Sequence, residues 1–152
     1  VRIDMTQDGR QQRLLADIGP VGDVLAYNAT FEVSRLMELA RDLPHHADAL
    51  HALLPRVKDL HTPFKSGWYV VPGMNGRTSI KVVLPALVPA LRYSDLAVQE
   101  GDTASRLFLQ LLNGRYAGDP DQLRTDLLAY CHLDTLAMVM LLQVLEREVQ
   151  QG

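Results

Sequence analysis

The apolar positions of this chain fall mostly at helical spacing, broken by Gly and Pro, with a few short runs of β-forming residues between them. The clearest case is the C-terminal stretch. Leu127, Cys131, Asp134, Met138, Leu141 and Leu145 are separated by 4, 3, 4, 3 and 4 residues and form one stripe on a helix. Leu133, Ala137, Met140 and Val144 make a second apolar line beside it. A helix this apolar is expected to be buried, with Cys131 as a small core residue. It should start at Asp119-Pro120 and run to about Val149.

Upstream, Gln11 to Ile18 reads as a short helix stopped by Gly19-Pro20, and Gly22 to Tyr27 as a turn followed by a buried strand. Asn28 is a favoured helix N-cap, and Phe31, Leu36, Leu39, Ala40 and Leu43 continue at helical spacing to about Asp42. Pro44 can open a further helix that Pro55 ends. Arg56 to Leu60 predicts a short strand, and Trp68 to Val71 a better one, rich in β-formers between Gly67 and Pro72. Gly73 to Gly76 is a turn. Ser79 should cap a helix through Leu87 in which Pro85 sits as a kink. Asp102 or Thr103 should cap another, closed by Asn113-Gly114. One strand, two helices, one or two strands and three helices point to an α/β or α+β layer fold. So thin a sheet implies strands missing from the chain.

Size and composition fit one domain: 152 residues, 47% hydrophobic and 22% charged. A net charge of −3 gives no overall attraction for nucleic acid, which argues against a tight standalone binder but not against a transient nuclease. Cys131 is the single cysteine, so no internal disulfide forms and a reducing, cytoplasmic setting is expected. No uninterrupted apolar run reaches the roughly 18 residues that span a bilayer, so no membrane is expected as a partner. Val1-Arg2-Ile3-Asp4 reads as neither a secretory nor a transit leader.

Two segments could carry chemistry. Asp134 interrupts the apolar stripe of the last helix, and a buried carboxylate needs a hydrogen bond, an ion partner or a metal. Tyr130, four residues earlier, shares its face. The pair could hold a cation and orient a water, although a lone helical Asp also serves to pair with an Arg or cap a neighbouring helix. Glu32 falls in a first helical turn just past a strand, where ligand sites of α/β folds lie. An acidic residue there also complements the helix dipole.

Together these segments resemble known motifs. Tyr130 to Asp134 is similar to the Tyr-x-x-x-Asp third motif of DEDD 3′–5′ exonucleases, and Asn28 to Glu32 looks like their second motif. A closer resemblance is to a bacterial family carrying domain of unknown function 2779. Its Tyr-Asn-x-x-Phe-Glu, Arg-x-x-Asp-Leu, Ser-x-Lys-x-Val-Leu-Pro and Tyr-Cys-x-x-Asp-Thr segments match Tyr27 to Glu32, Arg56 to Leu60, Ser79 to Pro85 and Tyr130 to Thr135. The resemblance runs from about Gln11 to Leu145. It implies an RNase H-like domain, helix-rich and truncated at its N-terminal strands. It further implies a two-metal site for magnesium or manganese, with Glu32 and Asp134 as ligands and Tyr130 orienting the attacking water. Two departures stand out. The chain contains no Asp-x-Glu first motif, and Glu32 occupies a place where most of the superfamily has Asp. Metal binding by this chain alone is therefore expected to be weak, and the chain inactive.

Other constellations add less. His45, His46, His51 and His61 lack the three- or four-residue spacing of a helical metal site, and solvated histidines fit them better. Cys131 and His132 are adjacent, so they point in different directions and form no dyad. Asn28, Ser79 and Lys81 are the candidate substrate-binding residues: Ser79 and Lys81 open a helix whose N-terminus can receive a phosphate, although a capped helix with a solvated lysine also fits, and Asn28 flanks the candidate ligand Glu32. Trp68 and Tyr69 can stack on bases, though strand aromatics are more often core. The expectation is a metal-dependent 3′–5′ exonuclease-like domain acting on DNA or RNA. The alternative is a non-catalytic module of the same fold that binds nucleic acid or protein, or that dimerises through an exposed sheet edge.

Overall fold

The computed structural model describes residues 7–151, so the opening Val1 to Asp4 lies outside the described residues. The chain divides into two compact units, Val1–Ser66 and Gly67–Gly152.

Among the described residues the first element of the first unit is α1, Gln7–Ile18. Gly19 ends it at φ 69°, the left-handed conformation that lets its N–H donate back to the Leu15 carbonyl at 3.1 Å. Strand β1, Val24–Ala26, leads into α2, Thr30–Asp42, and a 3-10 turn at Pro44–His46 opens α3, Ala47–Leu53. Strand β2, Val57–Asp59, and the single turn α4, Thr62–Lys65, complete the unit. β1 and β2 pair in parallel with Val24 opposite Val57 and Ala26 opposite Asp59, and α2 and α3 form the crossover between them. Arg56 fastens the loop before β1. Its guanidinium donates to the carbonyls of Gly22 at 2.7 Å, Val21 at 2.8 Å and Gly19 at 2.9 Å. Among the described residues of this unit, Ala26, Ala40, Leu50, Leu53, Leu60 and Phe64 are the buried apolar side chains.

The second unit holds α5, Ile80–Leu87, α6, Gly101–Leu112, and the 32-residue α7, Pro120–Gln151. Asp119 caps α7, its Oδ1 accepting the N–H groups of Asp121 at 2.9 Å and Gln122 at 3.3 Å. Both α5 and α6 pack on α7. The buried line of α7 is Leu123, Leu133, Ala137, Leu141 and Val144. By length and composition this helix would also reach across a membrane, with a mean hydropathy of 1.6 over its most apolar window.

The layered RNase H-like α/β fold is overturned. The structure is 69% helical, and the described residues contain only two short parallel strands. The expected strand Trp68 to Val71 is irregular chain, with Trp68 74% and Val70 61% exposed. Strand propensity expresses fit to a half-buried pleated surface, and no strand lies alongside here to supply one. On α7 the buried arc centres on the second apolar line rather than the first. Cys131 is therefore exposed, against expectation, and Asp134 sits at the edge of the buried face. Asn28 is not the N-cap of α2. Ala29 holds that place, and Asn28 adopts φ 68° to turn the chain from strand into helix.

Candidate functional site

The carboxyl ends of the two parallel strands gather the polar groups of the first unit. Asp59 closes β2, and its Oδ1 accepts two backbone hydrogen bonds, from the Asn28 N–H at 2.8 Å and the His61 N–H at 2.9 Å. The left-handed turn at Asn28 aims that amide at Asp59. Asn tolerates this conformation far better than a β-branched residue would. One carboxylate oxygen is thus fixed from both strand ends.

Glu32 enters from the first turn of α2. Its carboxyl is pushed above the usual range, first by burial and then by the Asp59 charge, with a hydrogen bond to its own backbone acting in the opposite sense. Its Oε2 is buried and has no hydrogen-bond partner. Tyr27, the last residue before the turn, stacks on His61 at 4.9 Å and on Phe64 at 6.4 Å. Burial, and secondarily Asp59, keeps its hydroxyl protonated well above the ordinary range.

A carboxylate with an unsatisfied buried oxygen, close enough to a second carboxylate to feel its charge, has the donor chemistry of a hard divalent cation. Magnesium is commonly held by one or two carboxylates, with waters and substrate phosphate filling the remaining positions. Among the described residues no group of three or more His, Cys, Asp or Glu is arranged around a common point.

The residues expected at the C-terminal motif lie in the second unit. Tyr130 and Asp134 do share a face of α7, but a third residue decides their chemistry. Tyr93, buried in a 3-10 turn, donates its hydroxyl to Asp134 Oδ1 at 2.6 Å. Tyr130 is hydrogen-bonded to the same carboxylate. Burial first, then Asp134 and more weakly Glu100 and Cys131, push the Tyr130 hydroxyl up to about 12. A phenol so raised stays protonated near neutrality, so it can donate a hydrogen bond but is unsuited to act as a base. Asp134 is thus satisfied by two phenols, the structural role open to a helical Asp. Lys81 pairs with Glu100 and lies over the Tyr93 ring, 5.8 Å from its centroid. Ser79 occupies the N-cap position of α5 without a side-chain capping bond.

Sequence reasoning missed Asp59 and Tyr93. Asp59 stood in the Arg56 to Leu60 segment without a role, and only strand pairing brings it to Asn28 and Glu32. Tyr93 carried no periodic signal. His61 alone of the four clustered histidines reaches the strand ends; His45 and His51 are exposed.

The chain belongs to the family described as domain of unknown function (DUF2779), which matches residues 3–79. That region takes in Tyr27 to Glu32 and Arg56 to Leu60, and the Tyr130 to Thr135 segment lies beyond it. No curated protein and no solved structure matches the chain.

Proposed function

We propose that this domain contributes to metal-dependent phosphodiester hydrolysis on DNA or RNA, with Glu32 and Asp59 as the carboxylates that hold a magnesium or manganese ion. The observation that carries the reading is the buried, unpartnered Oε2 of Glu32 beside Asp59. Unpaired buried carboxylate oxygens are costly, and a cation at this point would satisfy the oxygen and return the Glu32 carboxyl toward its ordinary range. The bound ion would polarise the phosphodiester and lower the pKa of a coordinated water. Asp59 is held in place by the Asn28 and His61 amides, so its second oxygen is oriented before any ligand arrives. Asp134, engaged by Tyr93 and Tyr130, serves as a structural carboxylate in this reading.

Manganese calorimetry tests it. Binding should be lost in Glu32→Gln and in Asp59→Asn and retained in Asp134→Asn. Binding that survives both first-unit variants and fails in Asp134→Asn would return the site to α7.

A second reading, a protein-interaction module, is favoured by the exposed side chains of Phe108, Leu109 and Leu112 on α6. Sedimentation of the chain and of Phe108→Ser with Leu112→Ser tests it, since self-association through this face should fall in the variant.

A further inference from the structure

Beside Glu32 the surface of α2 carries an aromatic ring that fills no core. Phe31 directly precedes Glu32 and is 61% exposed. Arg35, one turn on, holds its guanidinium 5.4 Å from the centre of the Phe31 ring. The same guanidinium pairs with Glu38 at 2.6 Å, and both side chains of that pair are more than two-fifths exposed. Exposed pairs of this kind contribute little, so Arg35 can exchange Glu38 for another anion at small cost. A single exposed Phe needs no explanation by itself. An exposed ring partnered by an arginine, on the turn that also carries Glu32, presents the two contacts by which single strands are held: a flat face for a base and a cation for the backbone.

We propose that Phe31 and Arg35 form the substrate platform of the Glu32–Asp59 site, and that the substrate is single-stranded nucleic acid. This rests on the reading above. One base stacks on Phe31 and an adjoining phosphate meets Arg35. Consecutive residues of a helix point about 100° apart, so the ring lies next to the carboxylate pair rather than in it. The nucleotide on Phe31 is therefore a neighbour of the scissile one. A duplex would not serve, because its bases are already stacked on one another. Glu32 and Asp59 repel a phosphodiester, so the platform engages only when a divalent cation offsets their charge.

Fluorescence anisotropy of a dye-labelled oligothymidylate, with calcium as the non-hydrolysing cation, tests the proposal against an abasic strand of equal length. The wild-type chain should bind the base-bearing strand about tenfold more tightly, one stacking contact's worth. Phe31→Ala should erase that preference, and Phe31→Trp should restore it. Arg35→Gln should weaken both strands alike and flatten the salt dependence. Chelation should abolish binding. Equal affinity of the wild type for the two strands, or a preference that survives Phe31→Ala, overturns the platform. If manganese binding persists in that case, the cation site stands without it. A Phe31-dependent preference with no manganese binding would instead overturn the Glu32–Asp59 reading and the cation requirement together.

Discussion

The Tyr93 hydroxyl donates to Asp134 Oδ1 at 2.6 Å across 41 positions of sequence, tying the turn before α6 to the middle of α7. This bond accounts for a carboxylate within the apolar stripe of α7 without any ligand. Tyr93→Phe removes the donor and leaves the half-buried Asp134 with Tyr130 alone. The cost should be about 1–3 kcal/mol, read in urea denaturation as a lower midpoint at unchanged slope. Loss of metal affinity in this variant would contradict the structural role of Asp134.

Glu32 makes stability depend on pH in a direction opposite to most carboxylates. Its folded-state pKa lies above the ordinary 4.5, so the native state binds its proton more readily than the unfolded chain does. Its contribution is most favourable below the ordinary carboxyl range and is lost as pH rises through the raised value. In metal-free buffer, Glu32→Gln should therefore melt higher than wild type at neutral pH. The difference should vanish under acid conditions, where the wild-type carboxyl is protonated. Manganese should raise the melting temperature of the wild type at neutral pH and leave that of the variant unchanged.

Two positions of the stripe expected on α7 have opposite environments. Leu141 is fully buried, and Leu141→Ala should cost about 2–5 kcal/mol. Cys131 belongs to the expected stripe but is exposed, so Cys131→Ser should stay within about 0.5 kcal/mol of wild type. Rapid modification of Cys131 by a thiol reagent in the native chain gives an independent readout.

Some helix boundaries were legible because local chemistry sets them. Gly19 ends α1, Pro44 opens the turn into α3, and Asp119-Pro120 starts α7, each through backbone rules that need no distant partner. The register of a helix against its neighbours is not local. Two apolar lines ran along α7, and only packing on α5 and α6 selects which one faces inward. Trp68 to Val71 failed for a related reason, since a strand exists only where another strand accepts it. At the candidate site, Glu32 was legible as an acid past a strand, whereas Asp59 was not. Its meeting with Asn28 and Glu32 depends on a parallel pairing that brackets α2 and α3, and no spacing rule encodes that pairing.

The same pairing closes a long loop within the first unit. Asn28 and Asp59 meet across 31 residues, a span whose closure must be compensated by contacts outside the helices themselves. α2 and α3 pack on each other through contacts nearer in sequence, while β1 and β2 are three residues each and pair across the whole of that excursion. A chain caught with its helices formed and its strands apart would show most of its native circular dichroism, yet Glu32 and Asp59 would have no fixed relation. Proximity of those two carboxylates therefore reports closed strand pairing in the Val1–Ser66 unit, and an ion that bridged them would hold that pairing shut.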